Sequence, residues 1–176
     1  WYVSLSDGHG FQTFKPWRIG HGAGSTDQFM GDFNGDGRAD AGIYEAGTGR
    51  AYVALSNGVD GFGFPNRWAE VQGMGSGKRL IGDVDGNGKD DIGYFFPDTG
   101  NLDVGLSTGT GFRAPTRWAN GQGANSKDQW MKDVDGDGDA DLAYMYTTNG
   151  NWYAAKSDRV RFGMYVLWLV GMGKNS

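Results

Sequence analysis

The sequence predicts an all-β protein, a β-propeller built from four-stranded antiparallel blades. Three observations support this fold class. Marker residues recur every 50 or 51 positions along the 176 residues, short apolar segments alternate with turns rich in Gly, Asn and Asp, and helix signals are nearly absent. Four short strands in each repeat of about 50 residues are typical of a propeller blade, which buries its faces only against neighbouring blades.

The composition excludes several other classes. Glycine and proline account for 33 and 4 of the 176 residues, below the share typical of disordered low-complexity chains, and an aromatic share of 14% argues for packed structure. No apolar run approaches the ~18 residues of a membrane span. The net charge of -5 disfavours nonspecific binding to nucleic acid, and the absence of cysteine removes disulfides and thiolate metal sites.

Four kinds of marker residue keep one phase along the chain. The in-phase tryptophans are separated by 51, 50 and 50 residues. The markers are Trp17, Trp68, Trp118 and Trp168, Phe11, Phe62, Phe112 and Phe162, Asp32, Asp83 and Asp133, and Gly49, Gly100 and Gly150. They predict a single repeat domain over 1–176, with a half blade at 1–25 and repeats at about 26–75, 76–125 and 126–176.

Each repeat is predicted to contain four strands in a fixed order. The predicted elements of the first repeat are a strand at 28–30, an acidic loop at 32–40, a strand at 41–44, a turn at 46–49, a strand at 52–55 and a fourth strand leading into Trp68. Matching turns recur at 98–101 and 148–151. The apolar stretch at 164–170 is short enough to be a strand.

The number of repeats bears on whether a propeller can close. Three complete periods and a leading half make about 3.5 blades, fewer than the ~4–8 blades of a closed ring. Three arrangements stay open: a fragment of a longer array, a half that pairs with a second copy, and an open stack. The start at Trp1 rather than Met predicts either a removed targeting segment or an excised piece of a longer chain.

Three acidic loops share one nine-residue pattern; they span 32–40, 83–91 and 133–141 and are called loops 1, 2 and 3. Side-chain oxygens occupy positions 1, 3, 5 and 9, glycine occupies positions 4 and 6, and position 7 offers a backbone carbonyl. Ca²⁺ takes six to eight oxygen ligands, so we expect three Ca²⁺ sites. The candidate ligands are Asp32, Asn34, Asp36, Arg38 and Asp40 in loop 1, Asp83, Asp85, Asn87, Lys89 and Asp91 in loop 2, and Asp133, Asp135, Asp137, Asp139 and Asp141 in loop 3.

Two other interpretations fit these loops less well. An EF-hand requires a Glu at position 12 and a helix on each side, whereas position 12 here is Ile43, Tyr94 or Tyr144 and the flanks are predicted strands. Clusters of Asp, Asn and Gly also form turns without a metal. However, the three in-phase loops hold 12 of the 21 acidic residues, and a cation relieves the repulsion among them. Mg²⁺ suits such loops less, because it retains several waters in a rigid octahedron.

A known repeat family combines the same motifs. The unit Leu-Ser-x-Gly-x-Gly-Phe at 5–11 and 106–112, the Trp that follows it and the acidic loop resemble FG-GAP/VCBS repeats, found in integrin α-subunit propellers and in many secreted bacterial and fungal proteins. The resemblance covers essentially the whole chain. It implies a β-propeller with calcium in the loop between the first two strands of a blade. It also implies adhesion or carbohydrate recognition, as in fungal propeller lectins, or an accessory role in secreted hydrolases and toxins.

The in-phase tryptophans have two interpretations. Packing between blades is favoured, because every period has one. The functional alternative is a platform on which sugars stack, since each Trp precedes a Gly-rich segment and three have a hydrogen-bonding residue four positions later. The candidate ligand-binding residues are Trp17, His21, Trp68, Gln72, Trp118 and Gln122. Trp1, Trp130 and Trp152 are left unassigned.

No catalytic residue is predicted. Residues 105–109 match the nucleophile-elbow string, but the serine recurs in hairpin turns as Ser6 and Ser56, and neither histidine recurs in phase. We therefore expect a non-enzymatic, calcium-binding extracellular module, secreted or at the cell surface, for adhesion or lectin-like carbohydrate recognition. The alternative is an accessory segment of a larger secreted hydrolase or toxin. The expected partners are a carbohydrate or an extracellular protein, and a second copy or the remainder of a longer propeller, without nucleic acid or a membrane span.

Overall fold

A computed structural model describes residues 1–25 and 27–172. Within these residues the chain forms fourteen β-strands and no helix, and hence no helix that is long and apolar enough to cross a membrane. Residue 26, where the first predicted repeat starts, and residues 173–176, where the third ends, lie outside the described residues.

The strands form three four-stranded antiparallel sheets and one two-stranded sheet, each in sequence order. The half sheet contains β1 (Tyr2–Val3) and β2 (Lys15–Pro16). Sheet I contains β3 (Gln28–Gly31), β4 (Asp40–Glu45), β5 (Arg50–Ala54) and β6 (Asn66–Ala69). Sheet II contains β7 (Lys78–Gly82), β8 (Asp91–Phe96), β9 (Asn101–Gly105) and β10 (Thr116–Ala119). Sheet III contains β11 (Asp128–Lys132), β12 (Asp141–Tyr146), β13 (Asn151–Ala155) and β14 (Val166–Leu169). This architecture confirms the predicted fold class.

The fourth strand of each sheet carries a β-bulge at the same place. The register between β5 and β6 shifts at Ala51 and Tyr52, and equivalent shifts occur in sheets II and III. A regular strand exposes alternate residues, but a bulge allows two successive side chains to face the core. Trp68 and Ala69 are accordingly both buried at the end of β6, and the same holds for Trp118 and Ala119 at the end of β10.

Neighbouring sheets are joined by one contact that recurs three times. The Trp at the end of a sheet's last strand packs on the Phe of the next sheet's hairpin, with ring centroids 5.2, 5.3 and 5.6 Å apart. In each case the Phe N–H also donates to the Trp carbonyl, at 3.2, 2.8 and 3.0 Å. The pairs are Trp17 with Phe62, Trp68 with Phe112, and Trp118 with Phe162. The apolar cores therefore lie between the sheets rather than within them.

The acidic loops form a second connection between sheets. The residue after the first Asp is fully buried in loops 1 and 2, as Phe33 and Val84. A hairpin serine of the next sheet donates to the carbonyl of this residue, Ser107 to Phe33 at 2.7 Å and Ser157 to Val84 at 2.6 Å. Loops 1 and 2 are therefore part of the interface with the following sheet.

Truncation of Val84 should cost more than the same truncation of Val134, which holds the same position in loop 3 but is 36% exposed. We expect Val84→Ala to lower the free energy of unfolding by about 2 kcal/mol, because it removes contacts and leaves a cavity between two sheets. Val134→Ala should cost less than about 0.5 kcal/mol. Denaturant unfolding of both variants measures the difference, and equal losses would contradict this account of the interface.

Candidate functional site

The acidic loops connect the first two strands of each sheet. Loop 2 begins after Gly82, the last residue of β7, and its ninth residue, Asp91, opens β8. Glycines at positions 4 and 6 have positive φ in all three loops, between 69° and 95°, a conformation that L side chains rarely adopt. These glycines turn the backbone so tightly that its N–H groups point into the loop.

The first Asp of each loop accepts these inward N–H groups. In loop 2, Asp83 Oδ2 accepts from Gly88 N at 2.7 Å and Oδ1 from Asn87 N at 3.1 Å. Asp32 and Asp133 make the corresponding contacts with the glycine at position 6, at 2.6 and 3.0 Å. Position 1 is therefore a carboxylate fixed at the centre of the turn.

The ninth residue of each loop is an Asp that is completely buried: Asp40, Asp91 or Asp141. Asp91 Oδ1 accepts from Ser107 N at 2.7 Å and Oδ2 from Val84 N at 3.0 Å, so its carboxylate ties the loop to the hairpin that follows β9. Burial raises the pKa of Asp91 to about 7, against the opposing effect of these hydrogen bonds and with a further contribution from nearby Asp85 and Asp83. Burial likewise raises the pKa of Asp40 and of Asp141.

Two groups of carboxylates among the described residues are close enough to hold a metal ion. Their oxygen atoms lie within 4.8 Å of one another. The groups are Asp83, Asp85 and Asp91 in loop 2, and Asp133, Asp135 and Asp141 in loop 3. Loop 1 has Asn34 at position 3, so an amide stands where the other loops have a carboxylate, and Asn34 Nδ2 donates to Asp36 Oδ2 at 2.9 Å.

The predicted ligands at positions 5 and 7 lie outside these groups. At position 5 a side-chain oxygen accepts the N–H two residues later, at 3.0, 3.0 and 2.9 Å. These residues are Asp36, Asn87 and Asp137. The N–H donors are the position 7 residues Arg38, Lys89 and Asp139.

Basic side chains beside the loops form ion pairs that were not predicted from the sequence. Arg38 pairs with Asp36 at 2.6 Å, Lys156 pairs with Asp135, and Arg159 pairs with Asp139 at 2.7 Å. Loop 3, which has five acidic residues, is thus the one with two such cations. Both come from the hairpin after β13, a position that could be recognised only by aligning the repeats.

Four of the candidate ligand-binding residues belong to the packing of the inner sheets. The indoles of Trp68 and Trp118 are 6% and 4% exposed and pack on phenylalanine. Gln72 is buried, and its amide accepts from Tyr94 Oη at 3.1 Å and donates to Arg113 O at 3.2 Å. Gln122 donates to Gly163 O at 2.9 Å. These two tryptophans thus take part in the packing between blades.

The other two candidates, Trp17 and His21, belong to the half sheet and the segment after it. Trp17 is half-buried against Phe62. His21 stacks at 6.3 Å on Trp1, and its Nε2 is buried without a hydrogen-bond partner. Burial lowers the pKa of His21 below its ordinary value, a hydrogen bond with the backbone of Ala41 opposes this effect, and nearby Arg18 adds to it, so the imidazole is neutral at pH 7. A neutral imidazole offers one donor and one acceptor.

A cleft of about 1160 Å³ opens between the half sheet's trailing segment and sheet I, and His21 lines it. The sequence contained a sign of this cleft, because Ile43 stands where sheets II and III have Tyr94 and Tyr144. In sheet II the hydroxyl of Tyr94 donates a hydrogen bond to the amide oxygen of Gln72, which is the residue in phase with His21. Ile43 has no hydroxyl to offer, and His21 Nε2 is buried without a hydrogen-bond partner, as is Gln122 Oε1 at the in-phase position after sheet II.

Aromatic and charged side chains share the rest of the cleft wall. The Arg79 side chain is 3% exposed, lies 4.3 Å above the ring of Tyr44 and pairs with Asp27 at 3.2 Å. Burial raises the pKa of Asp27, although the charge of Arg79 opposes this effect. Tyr52 and Arg18 also line the cleft, and the Nε of Arg18 is buried without a hydrogen-bond partner. The cleft therefore combines aromatic surface with polar atoms that have no hydrogen-bond partner among the described residues.

Comparisons with known proteins bear on the fold. No protein-family model and no curated protein matches the sequence. An Agrocybe aegerita lectin, solved for its recognition of non-reducing terminal N-acetylglucosamine, matches with a TM-score of 0.71 and 24% identity over 99% of this chain and 47% of the lectin. The Photorhabdus luminescens Tc holotoxin pore matches with a TM-score of 0.59 and 20% identity, over 98% of this chain and 8% of the toxin chain. The TcdB2-TccC3 structure matches with a TM-score of 0.52 and 22% identity, over 77% of this chain and 7% of that chain.

At these identities the likeness shows the fold alone. The chain spans about half the length of the lectin and less than a tenth of the two toxin chains. All three matches agree with the stack of antiparallel sheets described above.

The stability of the metal-free chain should depend on pH through Asp91. Its pKa is raised from 3.8 to about 7, so the folded chain holds a proton that the unfolded chain releases. Between these pH values Asp91 should therefore reduce the free energy of unfolding as the pH rises. The measurement compares wild type with Asp91→Asn in the presence of a chelator, because the amide does not titrate. A difference between the two that stays constant across this pH range would contradict the prediction.

Proposed function

We propose that the chain is a calcium-stabilised β-propeller module of the FG-GAP/VCBS type that binds carbohydrate outside the cell and performs no catalysis. The observation that carries the sugar-binding part is the cleft beside sheet I, where Tyr52 and the unsatisfied His21 Nε2 lie together. Sugar sites commonly combine aromatic surface with a few oriented polar groups. The match to a lectin that recognises N-acetylglucosamine supports the same class of ligand.

Calcium is the metal that best suits the acidic loops. All the side-chain ligands are oxygens, and loops 2 and 3 each place three carboxylates within reach of one ion. Ca²⁺ accepts a flexible shell of six to eight oxygens, whereas Mg²⁺ requires a rigid octahedron. We propose a third site in loop 1, where the Asn34 amide supplies an oxygen in place of a carboxylate.

We propose an extracellular location, because the proposed calcium sites suit the affinity range of extracellular modules. Extracellular calcium modules bind with dissociation constants of about 10⁻⁴–10⁻³ M, and short loops of this type need the high calcium concentration outside the cell. There the ion has a structural role: it offsets the repulsion among buried carboxylates and holds each loop against the next sheet.

The absence of catalysis is proposed because the carboxylates are otherwise engaged. Asp83 and Asp91 each accept two backbone N–H groups, which orient them toward the interior of the loop rather than toward a substrate. The elbow-like Ser107 is buried and donates to Phe33 O at 2.7 Å. A serine so engaged is not poised as a nucleophile.

A second candidate function is an accessory segment of a larger secreted toxin or hydrolase. The matches to two Tc toxin chains, of which this chain spans less than a tenth, favour this alternative. The sequence that flanks these residues in the gene distinguishes the two, because an adjoining catalytic or toxin domain supports the accessory role.

Calcium should raise the melting temperature, because it binds the folded chain and not the unfolded one. Each occupied site should add at least about 5 °C at saturating calcium. Asp83→Ala should remove one bound ion and reduce the calcium-dependent shift, whereas Asp98→Ala, an exposed acid outside the loops, should change neither. Calorimetry with and without EGTA, together with metal analysis, makes the measurement. An unchanged melting temperature and less than one ion per chain would exclude the calcium proposal.

Carbohydrate binding should depend on Tyr52. We expect Tyr52→Ala to weaken binding by about tenfold or more, because it removes an aromatic wall of the cleft. Tyr153, the in-phase residue of sheet III, does not line the cleft, so Tyr153→Ala serves as the matched control. A glycan array that includes N-acetylglucosamine-terminated chains identifies the sugar, and titration calorimetry then compares the variants. Equal affinities for both variants would place the site elsewhere.

A further inference from the structure

The two outer faces of the stack are apolar, and we define them by their residues. The entry face lies on the half sheet, on the side away from sheet I, and consists of Tyr2, Phe11 and Phe14, which are 68%, 81% and 65% exposed. The exit face lies on sheet III, on the side away from sheet II, and consists of Trp130, Val134, Trp152 and Trp168. Val134 and Trp168 are 36% and 47% exposed.

The inner repeats show what normally covers such faces. Phe62, Phe112 and Phe162, which are in phase with Phe11, are only 5%, 7% and 4% exposed, because each packs on the Trp of the preceding sheet. Trp68 and Trp118, in phase with Trp168, are buried by the Phe of the following sheet. Phe11 and Trp168 are thus the two halves of a contact that the chain makes three times, and among the described residues they do not meet.

We propose that the entry face of one copy packs on the exit face of a second copy, so that Phe11 meets Trp168 of that copy in a fourth Trp–Phe contact. The Phe11 N–H then donates to the carbonyl of Trp168, as the equivalent groups do between the sheets of one chain. Ser6, in phase with Ser107 and Ser157, donates to the carbonyl of Val134. The association does not depend on the proposed sugar site.

The inner part of the exit face differs from the same part of sheet II. In sheet II this part contains Gly93, and Met131 of the following sheet's first strand lies so close that a Cβ on Gly93 would come within 2.7 Å of its sulfur. In sheet III the in-phase residue is Ala143, so a methionine could not approach this place as closely as Met131 approaches Gly93.

Two tryptophans of the exit face, Trp130 and Trp152, cover this same region. Trp130 and Trp152 stack on each other with centroids 5.0 Å apart and planes 14° from parallel. They replace Leu80 and Leu102 of sheet II, and Ala143 and Ala154 between them are only 9% and 2% exposed. The inner region is therefore sealed without a neighbour, whereas the outer region around Trp168 stays open where the hairpin of a half sheet would pack.

This contact joins two different surfaces, so it is heterologous and generates either closed rings or open chains. An isologous alternative exists: all four residues of β14, Val166–Leu169, are apolar and exposed on the outer edge of sheet III, and two copies of this edge could pair with each other. The heterologous contact is favoured, because it continues an interface that the chain already makes three times, in the same register.

Sedimentation of the full chain in calcium, over a range of concentrations, tests the proposal. Wild type should associate, and Phe11→Ser or Trp168→Ser should each weaken association by about 30-fold, as expected when a central aromatic anchor is lost. Val59→Ser, which changes a 72% exposed side chain at the tip of another hairpin, should associate as wild type does. Circular dichroism melts establish that each variant is folded, since all three substitutions lie on the surface.

Mixing the two variants provides the decisive measurement. Phe11→Ser keeps an intact exit face and Trp168→Ser an intact entry face, so the mixture should form a one-to-one dimer although each variant alone is monomeric. A wild-type chain that is monomeric at all concentrations would overturn the proposal. So would a Phe11→Ser variant that associates as wild type does, because pairing through β14 alone predicts that result.

Discussion

The contact between the Trp of one sheet and the Phe of the next is the interaction on which the rest of the structure depends. A four-stranded sheet with two apolar faces is not stable by itself, so each sheet must bury both faces against neighbours. Trp68 and Phe112 show how this is done: the β-bulge turns the indole toward the next sheet, and a backbone hydrogen bond of 2.8 Å fixes the approach. The acidic loops, the cleft and the outer faces all derive from this spacing of sheets.

The acidic loops connect metal binding to the same packing. Asp91 holds the backbone of Val84 with one oxygen and that of Ser107 with the other. The Val84 side chain is buried, and its carbonyl accepts the hydroxyl of Ser157 from the next sheet. An ion that fixes Asp91 would therefore stabilise the interface as well as the loop. This explains why carboxylates that are costly to bury occur at the same place in every sheet.

The regular features could be predicted from the sequence, because a fixed repeat places equivalent residues in equivalent surroundings. The strand order, the loop between the first two strands and the packing of Trp68 follow from spacing alone. The cleft could not be predicted in this way, since it depends on Ile43 and His21 being paired across an interface. Trp1 and Trp152 occupy the same phase, three periods apart, but this was hidden because the intervening positions carry Ala51 and Leu102.

Residues that differ from their in-phase counterparts mark the places where the chain is not a uniform stack. An inner position must satisfy the same neighbours in every sheet, so a residue that departs from the pattern has either gained a ligand or lost a neighbour. At the junction of Tyr94 and Gln72 the hydrogen bond is made within the protein. At the equivalent positions Ile43 and His21 no such bond is made, and His21 Nε2 and Gln122 Oε1 are both buried without a hydrogen-bond partner; of these two residues, His21 lines the cleft. On sheet III the departures Trp130 and Trp152 instead stack on each other. The proposed sugar site and the proposed contact between copies thus follow from one constraint, inside the stack and at its outer faces.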